Sequence, residues 1–139
     1  VQRAGQTART FSWQVRVYYE DTDFGGVVYY ANYLRFFERA RTEWLRALGA
    51  DHRRLDAEHG LVFVVRRAEI DFLRGARLDD LLEVTVEVAE RKRSYAVLRQ
   101  RALRGGEPMA EALVQIACLR RADGRPAPIP GEYMERMQT

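Results

Sequence analysis

Cysteine is nearly absent from this chain of 139 residues: Cys118 stands alone, so no intrachain disulfide can form. It lies in an apolar, strand-like run, where a thiol is expected to be buried and unreactive. Histidine occurs twice, as His52 and His59, in a polar connector with no cysteine nearby and no metal-ligand spacing. Solvent-facing side chains and no metal site are expected there. No G-x-S-x-G and no P-loop occurs, which removes the serine nucleophile elbow and the nucleotide phosphate cradle. Lys92 is the only lysine; arginine supplies the rest of the 23 basic side chains, interleaved with 20 acids for a net charge of +3. That spread argues against a concentrated nucleic-acid surface. No apolar run is long enough to span a membrane, and residues 1–10 lack the apolar core of a signal peptide, so a cytoplasmic protein is expected. Internal repeats, low-complexity segments and linkers are also missing. With 47% hydrophobic residues, the chain should form one domain over 1–139, frayed at 1–10 and 134–139.

What is present reads as strand, long helix, then four strands. Phe11, Trp13, Val15, Val17 and Tyr19 alternate with polar neighbours, as in a half-buried strand. A polar connector follows the helix, with Leu55 as its anchor. From Leu61 the apolar positions are first odd (Leu61, Phe63, Val65) and then even (Ala68, Ile70, Phe72). Such a change of parity predicts a bulge near Arg66-Arg67. Gly75 marks a turn, Leu82 to Val88 a clean alternating strand, and Arg91-Lys92-Arg93-Ser94 a basic turn. Tyr95 to Leu103 and Ala110 to Leu119 read as strands around a Gly105-Gly106 hairpin. Pro126, Pro128 and Pro130 preclude further sheet. An α+β fold follows, an antiparallel sheet wrapped around one helix. The last strand is apolar on nearly both faces, so sheet-to-sheet oligomerisation is expected.

Residues 18–48 carry the chemistry. Tyr33, Phe36, Phe37, Ala40, Trp44, Leu45 and Leu48 recur at helical spacing, with Gly49 placed for a left-handed cap. Just ahead lie Glu20, Asp21, Asp23 and the Gly25-Gly26 pair. A loop carboxylate before a helix whose first amides are unpaired suits acyl hydrolysis: the carboxylate attacks or activates water, and the amides polarise the carbonyl. An Asp at such a place is, on its own, more often a cap or turn former. Asn32 reads as the helix cap, with a tight turn around 28–32 leaving Tyr30 outside the helix. Glu38, near Arg35 and Arg41, and Glu43, near Arg39, read as exposed ion-pair residues.

The stretch VRVYYEDTDFGGVVYYANYLRFFERAR (15–41), with RRAEIDFLRGARLDDLLEV (66–84) and ERKRSY (90–95), resembles hotdog-fold acyl-CoA thioesterases of the 4-hydroxybenzoyl-CoA thioesterase type. Within these it looks most like the bacterial Tol–Pal-associated branch. The resemblance implies about five antiparallel strands around a central helix, a homodimer or homotetramer with shared active sites, and hydrolysis of a CoA thioester without metal or cofactor. It places the catalytic carboxylate at Asp23 and the carbonyl-polarising backbone N–H at Tyr30, where that branch commonly has His. It implies contacts to CoA from Arg91, Lys92 and Ser94, and close backbone approach at Gly26. Asp21 would shape the loop. An acyl-carrier protein is a possible partner, and a non-catalytic acyl-binding module of the same fold is the alternative function.

Overall fold

The structure, a computed structural model, describes residues 10–138; residues 1–9, within the segment expected to fray, lie outside the described residues. Five strands, β1 (Phe11–Arg16), β2 (Leu61–Phe72), β3 (Leu81–Arg91), β4 (Tyr95–Arg104) and β5 (Glu107–Arg120), form one antiparallel sheet in the order β1-β3-β4-β5-β2. The described residues also form three α-helices: α1 (Asn32–Ala47), α2 (His52–His59) and the short α3 (Gly131–Arg136). Among the described residues, no helix is long and apolar enough to cross a membrane.

The period-2 pattern of each strand puts its apolar set on the face that receives α1. Val84 pairs with Ala102, Leu98 with Val114, and Ala96 with Ile116, so these side chains share one side of the sheet. They join the apolar stripe of α1 (Tyr33, Phe36, Phe37, Ala40, Trp44 and Leu45) in one buried cluster. Alanines at 96, 102, 110 and 112 make room for the large rings of the helix. Gln100 is the polar member of this layer and is fully buried. It accepts from Arg41 Nη1 at 2.9 Å and donates to the carbonyls of Phe37 (3.1 Å) and Thr85 (3.3 Å), so no hydrogen-bonding atom of its amide is stranded.

The bulge falls where the parity change put it. The β2–β5 register shifts between Val65 and Arg67, and Arg66 is the extra residue. Phe63 and Val65 therefore stay on the same face as Ala68, Ile70 and Phe72, opposite Cys118, Ile116, Val114, Ala112 and Ala110. Cys118 is fully buried, and burial pushes its thiol up to about 11.

Several expectations are corrected. β1 ends at Arg16, not Tyr19, because the Tyr18 N–H turns onto the Asp21 carboxylate and starts a 3-10 turn at Tyr19–Asp21. Residues 134–138 are not frayed as a whole: α3 runs to Arg136, and Tyr133 and Met137 are in the core. Arg136 Nη1 also donates to Leu48 O at 2.6 Å, which satisfies an end carbonyl of α1. The outer face of β5 is less apolar than the sequence suggested. Glu111, Leu113 and Gln115 stand there beside Glu69, Asp71, Arg99 and Arg101. The uncovered apolar surface is instead at the β2 edge and the start of α1, where Leu34, Val65, Phe72 and Leu73 are each about half exposed.

Candidate active site

The acid loop is a miniature antiparallel ladder. Tyr29 N–H donates to Asp21 O, Thr22 bridges Val28, and Asp23 N–H donates to Val27 O; Gly26 N–H closes the turn on Asp23 O at 2.9 Å. Gly26 has φ +82°, which a side chain would resist, and this is the reason for the second glycine of the pair. The ladder is held from outside by residues 75–77: Val28 N–H donates to Ala76 O, and Val27 bridges Arg77. A Cβ on Gly75 would come within 2.8 Å of Val27, so only glycine allows that approach.

Two carboxylates in this loop have opposite environments. Asp21 is buried and accepts from Tyr18 N–H at 2.8 Å and from Asn32 Nδ2 at 2.6 Å. It shapes the loop, as the sequence suggested. Asp23 is exposed, and Oδ1 accepts only the Gly25 N–H, at 2.9 Å, among the described residues. Its second oxygen takes no hydrogen bond from the described residues.

Asn32 is not the cap. Ala31 holds that position in helical geometry without a side-chain bond, and Asn32 is the first helical residue, drawn to Asp21. The tight turn ahead of α1 uses the next three amides: Asn32 N–H on Tyr29 O (2.8 Å), Tyr33 N–H on Tyr30 O (3.3 Å) and Leu34 N–H on Ala31 O (3.1 Å). No acceptor among the described residues takes the N–H of Tyr30 or Ala31. Those two donors, at the positive end of a 16-residue helix, can polarise an acyl oxygen. The Tyr30 ring packs on Tyr29 (centroids 5.0 Å) and edge-on to Phe72 (5.8 Å).

One turn along α1 begins an apolar groove of about 330 Å³, lined by Leu34, Phe37, Val65, Ala68 and Val114, with Arg35, Glu38 and Arg41 at its rim. Nothing in the sequence marked this groove, because it forms between elements distant in the chain. Glu38 accepts from Thr42 Oγ1 at 2.8 Å rather than pairing with Arg35 or Arg41. Arg41 turns inward to Gln100, and burial holds its guanidinium below its ordinary value. Glu43 pairs with Arg46, three residues on, not with Arg39.

The basic turn stands elsewhere. Asp80, just before β3, is bonded to Val17 beside the acid loop, while Arg91 ends β3. An 11-residue strand spans roughly 35 Å, so Arg91, Lys92 and Ser94 lie at the opposite end of the sheet from Asp23. Arg91 Nη1 is committed to α3, donating to Met134 O and to Met137 O, the latter at 3.0 Å. Ser94 O accepts from Cys118 N–H, and Lys92 N–H closes the hairpin on Tyr95 O. The Lys92 and Arg93 side chains are exposed.

A profile of the thioesterase-like superfamily matches residues 17–137. The chain is 48% identical over 122 residues to the acyl-CoA thioesterase YbgC of Haemophilus influenzae, covering 88% of this chain and 90% of that protein. A probable thioesterase from Bartonella henselae superposes with a TM-score of 0.81 at 39% identity, over 87% of this chain and 99% of that one. A 4-hydroxybenzoyl CoA thioesterase mutant, solved in complex with 4-hydroxybenzoyl CoA, superposes with a TM-score of 0.86 at 26% identity, over 94% of this chain and 100% of that one. The match takes in the acid loop, all three α-helices and every strand except β1, and on that ground the chain belongs to the thioesterase-like superfamily and has its hotdog fold.

Proposed function

We propose that this protein is an acyl-CoA thioesterase in which Asp23 acts as nucleophile or general base and the Tyr30 backbone N–H polarises the thioester carbonyl. The observation that carries the reading is the pairing of a solvent-facing carboxylate with unclaimed amide donors at the start of α1. As nucleophile, Asp23 forms a mixed anhydride and expels CoA thiolate; as base, it takes a proton from water as the hydroxyl adds to the carbonyl. Both routes build negative charge on the acyl oxygen, where the Tyr30 donor stabilises it. The groove below Leu34 receives the acyl part. Residues 15–41 also support the Tol–Pal-associated branch; with Tyr30 in place of that branch's usual His, the site keeps the backbone donor and has no imidazole there. Assaying a panel of acyl-CoAs tests the reading. Saturable hydrolysis of at least one is expected, and binding without turnover across the panel would favour the non-catalytic module.

The same reading needs a second copy of the chain. Asp23 and the basic turn lie at opposite ends of the sheet, so a CoA thioester that reaches both must lie across two protomers. The free edge of β2, with Val65, Phe72 and nearby Leu34 exposed, is the surface a partner covers. We expect sedimentation at micromolar concentration to show at least a dimer. A monomer with full activity would remove the shared site.

Arg91, Lys92 and Ser94 meet the CoA phosphates in this arrangement, while Arg91 Nη1 also braces the turn against α3. Replacing Arg91 and Lys92 by glutamine should raise KM for CoA thioesters by roughly tenfold with kcat little changed. Remote phosphate contacts are alike in ground and transition states, so their loss removes uniform binding. The effect should vanish with an acyl-pantetheine, which lacks the nucleotide. An equal loss on both substrates would take the turn out of the site.

A further inference from the structure

The groove beside α1 has a second chamber. A cavity of about 150 Å³, lined by Leu45, Phe63, Val64 and Ile116, continues it toward His52 at the start of α2. Arg41, Val65 and the rim residue Glu38 line both cavities, so the two chambers meet at this point. An aliphatic tail that outgrows the first chamber therefore runs into a guanidinium. Apolar surface and an unpaired charge make poor neighbours.

Arg41 has bonding capacity to spare. It is half-buried, and its one hydrogen bond goes from Nη1 to Gln100 Oε1 at 2.9 Å. A guanidinium carries five N–H donors, and no carboxylate pairs with this one among the described residues. Glu38 is near enough to pull the guanidinium up against the larger effect of burial, yet its Oε2 is taken by Thr42. Gln100 is itself fully buried and also donates to the carbonyl of Phe37, which fixes the guanidinium beside the groove. Arg35 adds a second positive charge to the lining against the single Glu38, so the groove favours an anion on balance.

We propose that the groove takes the acyl chain of a dicarboxylic acid, with its far carboxylate on Arg41 and its thioester at the amides of Tyr30 and Ala31. The proposal rests on the thioesterase reading above and names its substrate class. Chain length follows from the helix. Arg41 lies 11 positions beyond Tyr30, roughly 16 Å along α1, and its side chain reaches back by about one turn of 5.4 Å. The remaining 10 Å or so spans about eight carbons of an extended chain with bonds of roughly 1.5 Å.

Pairs of acyl-CoAs of equal length, one ending in carboxylate and the other in methyl, test the assignment. The kcat/KM for suberoyl-CoA is expected to exceed that for octanoyl-CoA by roughly tenfold, the effect of one charge-assisted pair in a partly open groove. The ratio should be smaller for dodecanedioyl-CoA over dodecanoyl-CoA. Arg41→Met should bring the eight-carbon ratio below one, Arg41→Lys should keep it above one, and Arg39→Met should leave it unchanged. Because Arg41→Met strands the Gln100 carbonyl, Arg41→Met/Gln100→Met is measured beside it, with both polar groups removed together. Calorimetric binding of the two eight-carbon thioesters to Asp23→Asn reads the same preference without turnover. A ratio at or below one in the parent protein, its survival in both Arg41→Met variants, or its loss in Arg39→Met overturns the proposal. Tighter binding of suberoyl-CoA with no thioester hydrolysed supports it and overturns the thioesterase reading instead.

Discussion

Asp23→Asn is expected to lower kcat by roughly a thousandfold or more, the upper range for loss of a group that attacks or takes a proton in the transition state. Asparagine keeps the size of the side chain and can still accept the Gly25 N–H that now holds Oδ1. It cannot form a mixed anhydride, nor can it accept a proton from water near neutral pH. The geometry isolates the effect. Asp23 is exposed and braces nothing but its own turn, so the variant should melt within about 0.5 kcal/mol of the parent. Substrate binding should also survive, since the Tyr30 N–H, the groove and the basic turn are untouched. Glu38→Gln is the paired control. Its carboxylate accepts from Thr42 at the solvent side of α1, and its loss should change kcat by less than about threefold. Steady-state kinetics on the two variants decides between the carboxylates. Activity retained within tenfold in Asp23→Asn, with Glu38→Gln dead, would move the reaction to the helix.

The second large effect is expected at Asp21, and it falls on stability first. This carboxylate is buried and accepts two hydrogen bonds, one from the Tyr18 backbone and one from Asn32 Nδ2. Asp21→Ala leaves both donors without an acceptor in a place closed to solvent. Such losses add the desolvation of the stranded groups to the bonds themselves, and we expect about 2–4 kcal/mol. Asp21→Asn keeps one acceptor and should cost about half as much. In urea the midpoint should fall while the slope stays the same, because the loss is local to the folded state. Asn32→Ala in the Asp21→Ala background should add little, since the two side chains share one bond. Activity should fall with stability, because Asp21 ties the loop that carries Asp23 to the first turn of α1, directly after the amide donors of Tyr30 and Ala31. A loss below about 0.5 kcal/mol, or full additivity with Asn32→Ala, would show that the pair does not brace the loop.

Much of the architecture could be read directly from residue periodicity. The helix at 33–48 and the alternating strands follow from periods of 3.6 and 2, which are local and survive without tertiary context. Even the bulge at Arg66 was legible, because Val65 and Ala68 can share a buried face only if one residue is spare. Asp23 and Tyr30 entered as candidates through the resemblance carried by residues 15–41, not through periodicity. Polar side chains were read less well. Asn32 looked like a cap and is drawn to Asp21; Glu38 and Arg41 looked like partners and turn to Thr42 and Gln100. Sequence spacing shows only which residues share a helix face, while a hydrogen bond goes to whichever partner the packing brings near. The same reason hid the two-chambered groove between α1 and β2 and the distance from Asp23 to the basic turn. Each joins segments far apart in the chain, and only the antiparallel order β1-β3-β4-β5-β2 decides which of them meet.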